Sequence, residues 1–324
     1  MKKETYFSSD WLIYQAARMF FIDKLQQKEI AQLLEISTAT VSRLIRKAQE
    51  MQVVHVSMDA PYAEMLETAE KLRMKYGLRE VILARYPNES RPEITDPKHA
   101  VALEGARYLQ RKIHSRDIVG LAWGGTMSCL INYLNPCQKT DASFVTMHGS
   151  IEVCDYELDV QTLTSRAAMA LGGERYCLFA NGLSDRAETV EQLKKERSVK
   201  AVMDLFGYIT ISISGIGTHY PQVSSLLSAP GYLSEEEYSA LREADVCGDI
   251  MLHFFDRNGK ECKTDLQDRT LSINLETYKK IPTKVLVASG VDKAETMNTA
   301  LVNHFCDVMI VDQALGERLL KDIL

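Results

Sequence analysis

Residues 117–127 read DIVGLAWGGTM, an apolar run closed by a glycine pair and a threonine, and SCLINYL follows at 128–134. A short apolar run bounded by glycine is the pattern of a strand buried on both faces, and the apolar spacing after Thr126 is helical. Strand, glycine turn and helix in that order form the repeating unit of an α/β fold. The same grammar recurs outward from this stretch. Apolar strands are predicted at 80–85, 143–149, 175–180, 208–217, 249–255, 284–289 and 307–311. Helical patterns lie between most of them, at 97–113, 126–134, 157–171, 187–206, 234–244, 292–305 and 312–323. Continuous rather than alternating apolar strands mean a largely parallel sheet covered by helices on both faces.

In such sheets ligands bind outside the carboxyl ends of the strands, so the loops after the strands are where chemistry is expected. Gly124-Gly125-Thr126 opens a helix, where backbone N–H groups and the helix dipole suit a phosphate or carboxylate. The other strand ends carry His148-Gly149-Ser150, Gly215-Ile216-Gly217 and Ser289-Gly290, with Lys293 one turn further on. A lysine there adds full charge to an anion that backbone donors already hold. Asp249, after Gly248, can bind a sugar hydroxyl or cap the preceding segment. His148 and His253 lie in apolar strands and read as core or pocket-edge histidines rather than general bases. Cys129 and Cys306 read as helix core.

The N-terminal stretch has a different texture. A helix from Ser9 or Asp10 places Trp11, Leu12, Tyr14, Ala17, Met19 and Phe20 on one apolar face. QKEIAQLLEIS (27–37) supplies a second short amphipathic helix with Ile30, Ala31, Leu33 and Leu34 inward. STATVSRLIRKAQEM (37–51) supplies a third, with Val41, Leu44, Ile45 and Ala48 as its buried stripe. This is the helix-turn-helix arrangement, whose second helix enters a major groove. Gln27, Ser37, Thr38, Thr40 and Ser42 are candidates for base edges or phosphates. Arg43, Arg46 and Lys47 are candidates for phosphate neutralisation or guanine contacts. VVHVSM (53–58) alternates as a short wing or strand would.

Charge divides with the texture: residues 1–58 sum to +2 and residues 59–324 to −8. A slightly basic head on an acidic body suits a nucleic-acid reader joined to another module, with domains at 1–58 and 59–324. The helix YAEMLETAEKLRMKYGL (62–78) opens the second domain after Pro61 and stops at Gly77. The chain has 324 residues, 46% of them hydrophobic and 25% charged, which excludes a disordered or fibrous protein. No apolar run approaches a membrane span, and no apolar segment follows Lys2-Lys3, so a cytoplasmic protein without a signal peptide is expected. The seven cysteines are scattered and include no CxxC pair, the pattern of reduced thiols rather than a disulfide frame or zinc site. No metal and no cofactor is expected.

With these residues identified, the chain resembles the SorC family of bacterial sugar-responsive transcriptional regulators over nearly its whole length. QKEIAQLLEISTATVSRLIRKAQE resembles the family's helix-turn-helix. DIVGLAWGGTM, SFVTMHGSI, ISISGIG, GDIMLHFFDRNG and VLVASGVDKAETMNTAL…DVMIVDQALGERLL resemble its effector-domain signatures in the family's order. The resemblance implies an effector domain related to glucosamine-phosphate deaminase and ribose-phosphate isomerase folds. It implies a phosphorylated sugar or polyol effector, operator DNA as partner, control of catabolic genes, and a homo-oligomer, usually a tetramer. Two departures stand out: Ser289-Gly290 replaces the family's glycine pair, and His148 stands where the deoxyribonucleoside regulators have a lysine. His148-Gly149-Ser150 is more similar to the sorbose and polyol regulators, so no covalent imine is expected there.

The expected function is therefore a non-enzymatic, effector-controlled DNA-binding regulator. The expected effector site is Gly124, Gly125, Thr126, His148, Gly149, Ser150, Gly215, Gly217, Asp249, Gly290 and Lys293. The competing expectation is a sugar-phosphate isomerase or deaminase with a helical appendage. That reading needs a positioned acid/base pair, and no spacing forces two of Asp249, Asp256, His148 and His253 together. A third expectation is a body that senses no metabolite and serves assembly alone.

Overall fold

A computed structural model describes residues 10–54, 60–87, 93–94, 96–135 and 139–321. Ser9 as a cap, most of the 53–58 wing, and Cys137 lie outside the described residues. The chain folds as two compact units, Met1–Ala63 and Glu64–Leu324, where the sequence reading set the boundary after residue 58.

In the first unit, helices α1 (Asp10–Phe21), α2 (Gln27–Leu33) and α3 (Thr38–Glu50) enclose a small core. Its buried members are Ile13, Ala16, Ala17, Ile30, Ala31, Val41, Leu44, Ile45 and Ala48. The α3 stripe is buried as its spacing predicts. The phase of α1 differs: Trp11 and Tyr14 are exposed, and Ile13, Ala16 and Ala17 face inward. Two alanines let α1 lie close against α3, which a tryptophan on that face would prevent. Leu33 is likewise exposed. Ser37 caps α3 by accepting the Thr40 N–H at 3.1 Å.

The second unit is built on a seven-stranded parallel sheet. Its strands are β1 (Glu80–Ala84), β2 (Ile118–Leu121), β3 (Ser143–Thr146), β4 (Glu174–Tyr176) and β5 (Ile211–Ser214). After an antiparallel insertion come β9 (Thr283–Ala288) and β10 (Val308–Asp312). The order is β1-β10-β9-β5-β2-β3-β4. Alternate residues feed opposite cores: Val308 and Ile310 pack into one apolar cluster, Met309 and Val311 into the other. Helices α4 (Ala60–Tyr76), which crosses the unit boundary, α5 (Pro97–Lys112), α6 (Gly125–Asn132) and α7 (Val160–Leu171) precede or connect the early strands. The run at 187–206, read as one helix, is α8 (Ala187–Leu193) and α9 (Arg197–Met203) with a 3₁₀ turn beyond. After α10 (Glu235–Glu243) and the short α11 (Asp265–Asp268) and α12 (Leu275–Lys279), α13 (Ala294–Val302) and α14 (Gln313–Leu320) complete the chain. Gly77 ends α4 in the left-handed region (φ 64°), and the Leu78 N–H reaches back to the Arg73 carbonyl.

The insertion forms a three-stranded antiparallel sheet of β6 (Gly217–Thr218), β7 (Val246–Ile250) and β8 (His253–Asp256). Here the sequence reading is corrected. The run 249–255 is not one strand but a hairpin, with Ile250 paired to His253 across Met251-Leu252. Both loop residues are buried and hold positive φ, 49° and 68°. That is the geometry of a primed two-residue turn, normally marked by Asn-Gly. A left-handed non-glycine residue costs about 1–2 kcal/mol. A buried turn takes apolar residues in spite of that cost, so no turn signal marks it.

The Ser37 cap yields a direct expectation. Ser37→Ala leaves the Thr40 N–H without its side-chain partner and lowers the stability of the first unit by about 1 kcal/mol. Amide hydrogen exchange should quicken from Val41 to Ala48 and stay unchanged in the β9 and β10 amides.

Candidate functional site

The order of the sheet reverses between β2 and β5: the chain runs outward one way through β3 and β4, and the other way through β9 and β10. A cavity of about 280 Å³ opens at the carboxyl ends of β2, β5 and β9, where a parallel sheet places its ligands. The segments after these strands supply Gly124, Gly125 and Thr126, then Gly215, Ile216 and Gly217, then Ser289 and Lys293. The antiparallel insertion closes the other side with Ser224, Ser225, Leu226, Asp249 and Met251.

One end of the cavity is built for an anion. Gly124 adopts φ 119°, open only to glycine, and its N–H is spent on the Leu158 carbonyl at 3.2 Å. The next two amides, of Gly125 and Thr126, stand in the first turn of α6 with no partner among the described residues, as helix starts leave them. Lys293 reaches back to the Ile216 carbonyl at 2.7 Å. Burial lowers its ammonium pKa, while Asp249 and Asp292 pull it up. Lys98, from the first turn of α5, also lines the cavity. Sequence reasoning missed it because it does not directly follow a strand end; only the packing of α5 on α6 brings it to the strand ends.

The other end is built around a fixed carboxylate. Asp249 is 6% exposed. Its Oδ1 accepts from Ser225 Oγ and lies 3.0 Å from His219 Nε2. Both bonds fall on Oδ1, leaving Oδ2 with no partner among the described residues. Gly217, paired with Asp249 across β6 and β7, needs to be glycine because a Cβ would collide with that Oδ1 and with Ser225 Oγ.

Four expected residues do not line the cavity. His148 is fully buried beside it: its Nε2 accepts the Trp123 N–H at 3.1 Å, and its Nδ1 donates to the Gly149 carbonyl at 2.8 Å. It therefore holds the exit of β2 instead of touching a ligand. Gly149 is glycine because its backbone runs against Ala180 and Gly182, with no room for a Cβ. Ser150 accepts from Gln161 Nε2 at 2.6 Å, inside the structure. Gly290 turns the chain at φ 98°, but its N–H is consumed by Asp312 Oδ2 at 2.7 Å and cannot serve a ligand. His253 is also a buried structural residue. Cys129 is half-buried on α6, its Sγ 3.8 Å from His99 Nε2. Cys306 is buried, just ahead of β10.

In the first unit, Thr38, Arg43 and Arg46 are exposed and Thr40, Ser42 and Lys47 half-buried, on the side of α3 away from its stripe, and Gln27 is half-buried at the start of α2. Ser37 and Thr40 are partly committed to each other, their hydroxyls 2.8 Å apart. Arg43 leans on the Thr40 hydroxyl at 3.3 Å.

Burial pushes the His148 pKa from 6.5 down to about 4, against the pull of the Gly149 carbonyl. Between those values the unfolded chain binds a proton that the folded chain does not, so stability falls as pH drops through this window. The loss approaches about 3 kcal/mol below pH 4. Denaturant titrations at pH 7 and pH 4.5 check this, with His148→Gln expected to lose less stability between the two.

Comparison with known proteins agrees with this architecture. Residues 60–321 match the family model described as "Putative sugar-binding domain". The deoxyribonucleoside regulator of Bacillus subtilis (strain 168) is 30% identical over 315 residues, which cover 96% of this chain and 98% of the relative. The sorbitol operon regulator of Klebsiella pneumoniae is 25% identical over 313 residues, covering 96% and 98%. The crystal structure of the full-length sorbitol operon regulator SorC from Klebsiella pneumoniae shares the fold, with a TM-score of 0.74 at 24% identity over 98% of this chain and all of that one. The probable sor operon regulator from Shigella flexneri aligns over 80% of this chain and all of its own, at 26% identity and a TM-score of 0.71. These relatives are regulators rather than enzymes, and among the described residues no helix is long and apolar enough to cross a membrane. The chain belongs to the sugar-binding-domain family and is a SorC-type transcriptional regulator.

Proposed function

We propose that this regulator controls genes of carbohydrate or polyol catabolism, reading operator DNA with residues 1–58 and a phosphorylated sugar or polyol with residues 59–324. The observation that carries the reading is the polarity of one cavity. Two free amides and two lysines stand at one end, and a clamped aspartate at the other. The free amides of Gly125 and Thr126 hold the phosphate, with Lys293 and Lys98 supplying charge. Asp249 Oδ2 accepts a sugar hydroxyl, and Gly215 and Gly217 allow the ligand close to the backbone. A phosphate held by helix-start amides needs no desolvated side-chain charge of its own. The named roles of relatives, regulators of deoxyribonucleoside, sorbitol-operon and erythritol-catabolism genes, support a small polyhydroxylated effector.

In the first unit, Gln27, Thr38, Thr40, Ser42, Arg43, Arg46 and Lys47 form the DNA face, and Ser37 serves mainly as the cap of α3. The protein acts in the cytoplasm as a homo-oligomer, because one short half-site gives little affinity and a symmetric assembly engages two at once, and the resemblance to the SorC family favours a tetramer. The effector works through differential affinity: it shifts the protein only by binding one arrangement of the assembly better than the other.

Isothermal titration tests the cavity. Lys293→Ala should raise the dissociation constant for the phosphorylated sugar about tenfold or more, and for the unphosphorylated sugar much less, at about 1.4 kcal/mol per decade. Equal losses for both place the phosphate elsewhere. Operator binding tests the head. Arg43→Ala with Arg46→Ala should weaken binding and flatten its salt dependence, by about 0.9 in the log–log slope for each phosphate no longer neutralised. A folded double variant with unchanged affinity and slope defeats the DNA face.

A further inference from the structure

We propose that His253 is held as an imidazolium and is the positioning residue for the Met251 wall of the cavity. Its Nδ1 lies 2.6 Å from Glu261 Oε1, and its Nε2 lies 2.7 Å from the Ile273 carbonyl. A carbonyl and a carboxylate only accept, so each ring nitrogen brings a hydrogen, and a neutral imidazole has one to give. The ring is nearly enclosed, its side chain 8% exposed. His148 presents the opposite case: its Nε2 accepts an amide hydrogen and must be bare. Two titratable groups act on the ring: Glu261, from the segment after β8, and His148, from the end of β3.

The imidazolium bears on the cavity through the hairpin. His253 closes the two-residue turn whose members, Met251 and Leu252, both sit in the left-handed region. Such a turn relaxes unless its surroundings over-determine it. Ser272 Oγ donates to the Met251 carbonyl at 2.8 Å, and the Ile273 N–H donates to the Met147 carbonyl at 2.7 Å. The bond from His253 to the Ile273 carbonyl ties the far end of the turn to this same segment. The turn is thus fastened to the end of β3 at both of its ends, and Met251 is kept against the cavity. Glu261 supplies the negative charge that keeps the second proton on the ring.

The test uses the full chain with ¹⁵N-histidine and methyl-labelled methionine, and two of its readouts need no ligand. In the wild type at pH 7 both His253 ring nitrogens should give N–H-type signals, assigned by their disappearance in His253→Gln or their change in Glu261→Gln. In Glu261→Gln the Met251 methyl signal should shift or broaden, while that of the exposed Met169 stays in place. A bare-nitrogen signal from His253 in the folded wild type overturns the proposal. So does a Met251 methyl signal that Glu261→Gln leaves unmoved. The third readout rests on the effector reading above. For a sugar phosphate that the wild type binds, Glu261→Gln should raise the dissociation constant about tenfold, with inorganic phosphate changed less than about twofold. Equal losses for the two ligands overturn a local role for the wall. If the wild type binds none of a panel of pentose, hexose and polyol phosphates, the effector reading fails, and the two NMR signals still decide the charge on His253.

Discussion

The hydrogen bond from the Trp123 amide to a neutral, fully buried His148 fixes how the chain leaves β2. That exit has to turn through Gly124 at a φ open only to glycine and deliver the first amides of α6 into the cavity without partners. An imidazolium at His148 would have no lone pair for the Trp123 N–H, so the low pKa of the ring and the shape of the turn are one constraint. The neighbouring glycine follows from the same crowding: Gly149 lies against the backbone of Ala180 and Gly182, and any side chain would push the histidine out of place.

The opposite wall is organised by charge. Asp249 is nearly enclosed, and its Oδ1 takes both Ser225 and His219. A buried carboxylate needs such partners, because an unpaired charge out of water is costly. The partners belong to the 219–228 segment, so the hydrogen bonds that satisfy Asp249 also fasten that segment over the cavity. The charge left facing the cavity is then divided by position, with lysines by the start of α6 and one free carboxylate oxygen at the antiparallel sheet. A ligand with a phosphate at one end and hydroxyls at the other matches that division. The strained Met251-Leu252 turn joins the antiparallel sheet to the parallel one: it lies in the former, yet its carbonyl is held by Ser272, which also reaches the end of β3.

Most of the architecture was legible in the primary structure, because a parallel sheet buried on both faces demands uninterrupted apolar strands. The strands at 80–84, 118–121, 143–146, 283–288 and 308–312 fall where those runs predict them. The α3 stripe was legible for the same reason, since burial of one face enforces a 3.6-residue period. The hairpin at 246–256 was not. A buried turn made of methionine and leucine looks like strand, and the strain it carries leaves no trace in composition. The phase of α1 also escaped, because two alanines and a tryptophan are equally apolar on a helical wheel and only the closeness of α3 chooses between them.

Within the site, the rule that ligands sit beyond strand ends located Gly124, Gly125, Thr126, Gly215, Gly217 and Lys293, and all of them line one cavity. The same rule included His148, Gly149, Ser150 and Gly290, which lie behind the cavity because their polar atoms are already used within the protein. Lys98 and Ser225 come from segments that no strand pattern marks, and Met251 from inside a run that reads as strand. Sequence alone determined most elements of the parallel sheet and which ends of its strands are polar, since both follow from local periodicity and composition. Only the tertiary structure decided which of those polar groups remain free, because a donor or acceptor is available to a ligand only after every neighbour in the fold has taken its own bonds.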